Sequence, residues 1–141
     1  MTISQLSAEK TKAKVLNLDL SKVERRLVRV DGYTEGKARE AIETYRQFLV
    51  LKATYPDRAL VPPVAADHAL HAHILHTRQY AKDTQAIFSG FMHHDPEETT
   101  DATYDEAREF TRQAFLEYFG VDVAAFEFCM VNVDTREKQA A

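Results

Sequence analysis

The chain has 141 residues, 45% of them hydrophobic and 28% charged, which is enough for one domain with a buried core. Its formal net charge of −4 argues against nucleic-acid binding, which needs a clustered basic surface. No apolar run is long enough to span a membrane, and the N-terminal residues lack the apolar core of a signal peptide. A cytoplasmic protein with no membrane partner is therefore expected, and the lone Cys129, within an apolar run, predicts a buried thiol.

The first predicted helix follows a weakly patterned N-terminus. Residues 1–17 show no regular apolar spacing and are expected to be loosely ordered. Ser21 and Glu24 have the spacing of a capping box, and Gly32 can end a helix with a positive φ. These signals predict a helix over about residues 20–30.

The second predicted helix, over about residues 35–54, has the clearest pattern in the chain. Thr34 is a candidate N-cap, and the residue before Pro56 is disfavoured in the α conformation, which ends the helix. Between these signals, apolar side chains recur with helical spacing at Ala38, Ala41, Ile42, Tyr45, Phe48 and Leu49.

Two further helices complete the prediction. The histidine-rich segment predicts one continuous helix over about residues 64–86, followed by a loop through residue 98. A second capping box, Thr103 to Glu106, predicts the start of a last helix that ends at Gly120. Its predicted apolar face contains Ala107, Phe110, Ala114 and Tyr118, widened by Phe115 and Phe119.

The fold class predicted from these elements is all-α. A compact bundle of about four helices with short connections is expected to form a single domain over residues 18–133. Residues 128–133 are interpreted as a short irregular or extended segment, and residues 134–141 as a disordered tail.

All six histidines lie between His68 and His94, which makes this segment the candidate site. Successive residues turn by about 100° on an ideal helix. Asp67 and His71 would therefore share one face, and His73 and His76 would lie on a nearly opposite face together with Tyr80.

The first of these faces predicts a metal site. Asp67 and His71, four residues apart, can converge on one divalent ion, and His94 on the returning loop could supply a third ligand. Two histidines and one carboxylate suit zinc or non-haem iron with an open position for a small-molecule substrate. The other members of the candidate set are His73, His76 and His93, as supporting groups or replacement ligands.

The sequence alone leaves two other interpretations open. It also leaves open whether the protein is an enzyme. The histidines could form a polar packing network in a metal-free structural or interaction module. They could also perform metal-free acid–base chemistry, since a histidine titrates near neutral pH. His68 is expected to be an exposed surface side chain.

A longer pattern surrounds the histidines over residues 67–96, namely Asp67-x-x-x-His71-x-His73-Ile74-Leu75-His76-Thr77-x-x-Tyr80, then Ile87-Phe88-x-Gly90-Phe91 and His93-His94-x-Pro96. This pattern resembles the glycine-rich domain-containing protein-like family in its bacterial short form. That family has a tryptophan–histidine–x–histidine core, a downstream tyrosine and, in bacterial members, a paired histidine before proline.

The chain departs from that family at three positions. Leu70 stands in place of the usual tryptophan, Thr84 in place of a frequent cysteine and Ser89 in place of a common glycine, and the glycine-rich tail is absent. The family has no firmly assigned activity to transfer. The resemblance therefore implies no reaction. It implies that three of the histidines are important, namely His71, His73 and His94.

Overall fold

The computed structural model describes residues 3–88, 90, 92 and 101–123. In these ranges the chain forms six α-helices and no strand, which confirms the all-α prediction: α1 (Ile3–Leu16), α2 (Ser21–Arg29), α3 (Glu35–Thr54), α4 (Val64–Leu75), α5 (Thr77–Phe88) and α6 (Asp101–Phe119). None of these helices is long and apolar enough to cross a membrane.

Helix α3 is the centre of the fold, and its bounds confirm the prediction. It contacts α1, α2, α4 and α6. Thr34 caps it as predicted, because the backbone N–H of Lys37 donates to Thr34 Oγ1 at 3.2 Å. The side chains of Tyr45, Leu49 and Leu51 are among those that α3 buries in the core.

Helix α1 is the element that the sequence pattern did not predict. Its apolar residues do not follow one face, so periodicity gives no signal there. The end of α1 is nevertheless anchored on α3: Val15 is fully buried, and the guanidinium of Arg46 donates to the carbonyls of Val15 and Leu18 at 2.7 and 3.0 Å.

Neither predicted capping box forms at the start of its helix. Ser21 is the first residue of α2 rather than its cap, and its N–H and hydroxyl both donate to Asp19 Oδ1, at 3.0 and 2.6 Å. These two hydrogen bonds to the carboxylate lower the pKa of Asp19. Helix α6 begins at Asp101, which places Thr103 inside the helix.

The buried face of α6 differs from the predicted one at its C-terminal end. Ala107 and Ala114 are buried as expected and Phe115 is fully buried, but Tyr118 is 51% exposed. Gly120 ends the helix with a φ of 65°, as predicted, and its N–H donates to the carbonyl of Leu116 at 3.0 Å.

The predicted continuous helix over residues 64–86 is wrong, because the chain breaks into α4 and α5 at His76. The backbone of His76 leaves the helix with a ψ of 70°, and its N–H donates to the carbonyl of His73 at 3.0 Å. The carbonyl of Ala72, which a continuous helix would use for that N–H, instead accepts from the imidazole Nδ1–H of His76 at 2.9 Å.

The remaining predictions fall outside the described residues. They concern Cys129, the extended segment at 128–133, the tail at 134–141 and the loop with His93 and His94. The division of the chain into one domain over 18–133 and the cytoplasmic location also stay predictions.

Candidate functional site

A hydrogen-bonded chain of three side chains joins the three helices around the break. Tyr45 on α3 places its hydroxyl oxygen 2.6 Å from His73 Nδ1, and His73 Nε2 lies 2.9 Å from Asp83 Oδ2 on α5. Tyr45 and His73 are 0% and 1% exposed, whereas the side chain of Asp83 is 14% exposed. Both imidazole nitrogens are therefore occupied inside the protein. We refer to Tyr45, His73 and Asp83 as the buried triad.

The protonation state of the buried triad follows from its donors and acceptors. A carboxylate oxygen accepts, so His73 carries its proton on Nε2 and its Nδ1 accepts from the hydroxyl of Tyr45. Burial lowers the pKa of His73, and this effect outweighs that of Asp83, which raises the pKa. The neutral imidazole is therefore favoured. Burial likewise raises the pKa of Tyr45 well above its ordinary value, which keeps the phenol protonated.

The break at His76 is what brings Asp83 to His73. His73 and Asp83 are ten residues apart. In a continuous helix that separation would place them about 15 Å apart along the axis. Because the chain turns at His76, α5 returns far enough for the Asp83 carboxylate to reach the imidazole.

Tyr80 encloses the histidine from a second side. Its ring meets the imidazole of His73 edge-on, with the centroids 5.0 Å apart, and its hydroxyl donates to the carbonyl of Met92 at 2.5 Å. Burial raises the pKa of Tyr80 to about 12. The phenol is therefore a neutral hydrogen-bond donor that fixes residue 92 against the triad.

A second group of polar side chains lies on the other face of α4. Asp67 is 2% exposed, and its Oδ2 is 3.5 Å from Nδ1 of His71, whose side chain is 54% exposed. That distance is longer than a usual hydrogen bond, so the pair is a loose one. Nearby, His68 is exposed as expected, and its Nδ1 lies 2.6 Å from the hydroxyl of Tyr33.

A family model described as UCP032817-like matches residues 15–118, which is most of the chain. This chain belongs to the UCP032817-like family. Searches of the curated proteins and of the solved structures found no match. The resemblance to the glycine-rich domain-containing protein-like family is a separate matter, on which the UCP032817-like match does not bear.

The UCP032817-like match contains all three residues of the buried triad together with the break that positions them. It also contains His93 and His94, which lie outside the described residues. The buried triad and the pair of Asp67 and His71 therefore both lie in the part of the chain that the family model matches.

The structure brings together some of the predicted metal ligands and separates others. Asp67 and His71 share a face as expected, whereas His73 turns toward Asp83 and His76 toward its own preceding turn. In the described ranges, no three histidine, cysteine, aspartate or glutamate side chains are grouped so that they could hold a metal ion. A site completed by His93 or His94 stays a prediction.

Sequence reasoning missed two members of the buried triad. The apolar spacing identifies Tyr45 as one position of a helix face, and no sequence pattern singles out Asp83. The local signal that could point to Asp83 is Thr77, because a threonine side chain can hydrogen-bond nearby backbone and compete with a continuous helix. With a break at that point, the polar residues of α5 become candidates to face α4.

The chemistry open to the buried triad is limited by its burial. A histidine oriented by a carboxylate can serve as a general base when a reacting group reaches its second nitrogen. Here that nitrogen accepts from Tyr45, which is itself 0% exposed, so the imidazole offers no free nitrogen to a substrate. The arrangement is suited to holding three helices in a fixed relation.

Proposed function

We propose that this chain is a metal-free helical structural or interaction module in which histidines form a polar packing network. The observation that carries this proposal is the use of both nitrogens of His73, by Tyr45 and Asp83, inside the protein. Neither nitrogen retains a lone pair for a metal ion, since Nδ1 accepts and Nε2 is protonated. The network ties α4 and α5 to α3, so the surfaces of these helices keep one relative arrangement.

The test compares stability and metal content in the same variants. A His73→Ala variant is expected to lower the melting temperature of the untagged protein and to leave its metal content unchanged. An Arg78→Ala variant on the exposed side of α5 is the control for the effect of any substitution near the break. Loss of a near-stoichiometric metal from His73→Ala, with stability retained, would contradict the proposal.

A second candidate function is supported by the Asp67 and His71 pair. A buried carboxylate with an imidazole 3.5 Å away could supply two ligands to a divalent transition metal such as zinc or iron. His93 or His94 would complete that site, and an open position on the ion would allow chemistry on a small molecule.

The two candidates differ in which histidines control the metal. Under the second candidate, a His71→Ala/His94→Ala variant loses a near-stoichiometric metal that the untagged wild-type protein retains after purification, and His73→Ala does not. A wild-type protein that stays substoichiometric after reconstitution with zinc or iron rules out the second candidate and leaves the metal-free module.

A further inference from the structure

An open groove of about 460 Å³ lies between α2 and the first turns of α3, on residues that the buried triad does not use. Three arginines line it. Arg25 and Arg29 are one turn apart on α2, and Arg39 is one turn into α3. All three side chains are exposed.

These three arginines make no hydrogen bond and no ion pair with the described part of the chain. Two arginines elsewhere in the protein do have such partners. Arg46 donates to two backbone carbonyls, and Arg112 forms a two-pronged ion pair with Glu109 at 2.6 and 3.0 Å. Arg25 acts on exposed Asp19 through its charge, since the pKa of that carboxyl is lowered mainly by hydrogen bonds from Ser21 and to a smaller extent by Lys22 and Arg25. Guanidinium groups that line one groove repel each other, and an anion bound among them would relieve that repulsion.

Two carboxylates also line the groove, and they limit what it can bind. The residues that line the groove carry three positive and two negative charges. Glu24 and Glu35 form no ion pair with the three arginines. A single small anion would gain little from this balance. An anion with several charged groups can reach more than one guanidinium and form the paired hydrogen bonds that arginine offers to phosphate.

We propose that the groove between α2 and α3 binds a small anion with two or more phosphate groups, held by Arg25, Arg29 and Arg39. The N-terminus of α3 lies at the same groove, where its backbone dipole favours an anion and the negative charge of Glu35 opposes one. This site goes beyond the proposed structural module and does not depend on it.

Calorimetric titration with inorganic tripolyphosphate tests the site, with inorganic monophosphate at matched ionic strength as the reference. Tripolyphosphate is expected to bind and monophosphate to bind more weakly. An Arg25→Gln/Arg39→Gln variant is expected to lose about tenfold or more in affinity for tripolyphosphate, equivalent to about 1.4 kcal/mol. An Arg78→Gln/Lys82→Gln variant removes the same charge from exposed positions on α5 outside the groove and is expected to bind like the wild type.

The two glutamates supply a test of opposite sign. Glu24→Gln removes a negative charge from the lining and is expected to strengthen binding severalfold. None of the substituted side chains is buried, and circular dichroism checks that each variant is folded. The proposal is overturned if tripolyphosphate does not bind, if the α5 control loses as much affinity as the groove variant, or if Glu24→Gln weakens binding.

Discussion

His73 Nε2 and Asp83 Oδ2 lie 2.9 Å apart although the two residues are on different helices, separated by ten positions in the chain. The bond exists because the chain breaks at His76 between them. A charge-assisted hydrogen bond from a buried imidazole is among the stronger contacts of its kind. It links the local conformation of one residue to the packing of α4, α5 and α3.

The first prediction concerns the acceptor of that bond. Asp83→Ala leaves the Nε2–H of the buried His73 without its acceptor, and we expect the free energy of unfolding to fall by about 1–3 kcal/mol. Asp83→Asn keeps a side-chain oxygen and should lose less. Urea denaturation measures both, with Gln85→Ala at an exposed position of α5 as control. An Asp83→Ala protein as stable as the wild type would show that the bond contributes nothing.

The second prediction uses two tyrosine–histidine pairs with the same 2.6 Å separation. Tyr45→Phe leaves the Nδ1 of buried His73 without a donor and should cost about 1–3 kcal/mol of stability. Tyr33→Phe makes the same change next to exposed His68, where water can replace the hydroxyl, and should cost less than about 1 kcal/mol. Equal losses in the two variants would mean that burial does not set the strength of the contact.

How far the sequence predicts this fold depends on whether the signal is local. Helix α3 is predicted with its bounds, because its cap and its apolar spacing are both contained within the helix. Helix α1 has no such spacing and is positioned by Arg46 from α3, a contact that no local pattern reveals. The site is hard to predict for the same reason, because its geometry depends on a contact that no local pattern reveals. The carbonyl of Ala72 accepts the imidazole N–H of His76 in place of a backbone N–H, and the helix break at this point determines where Asp83 lies.

The third prediction concerns pH. Burial lowers the pKa of folded His73 below its ordinary value of 6.5, so the unfolded chain takes up a proton more readily than the folded protein does. This group therefore leaves stability unchanged above about pH 6.5 and reduces it as the pH falls below 6.5 toward the folded pKa. Urea denaturation should therefore show a free energy of unfolding that declines from about pH 7.5 to about pH 5, the range in which histidines titrate.

Comparison of two variants assigns that decline. His73→Gln removes the titrating group, and its stability should fall less steeply over the same pH range than that of the wild type. His68→Gln changes an exposed histidine and should keep more of the wild-type slope. A wild-type slope that survives unchanged in His73→Gln would assign the acid sensitivity to other groups.

The fourth prediction concerns the break itself. In His76→Ala the carbonyl of Ala72 loses its imidazole donor and becomes free to accept the backbone N–H of residue 76, as in a continuous helix. A helix that continues through this point carries Asp83 away from His73. We therefore expect a loss of about 1–2 kcal/mol in the free energy of unfolding, with the lost contact to Asp83 included in it.

A double-mutant cycle separates this explanation from the loss of one local hydrogen bond. If the break positions Asp83, then Asp83→Ala should cost less in the His76→Ala background than in the wild type, with a coupling of at least about 0.5 kcal/mol. Arg78→Ala lies as close to the break on the exposed side of α5, and its effect should add to that of Asp83→Ala. Additive effects of His76→Ala and Asp83→Ala would show that the conformation at residue 76 and the bond between His73 and Asp83 are independent.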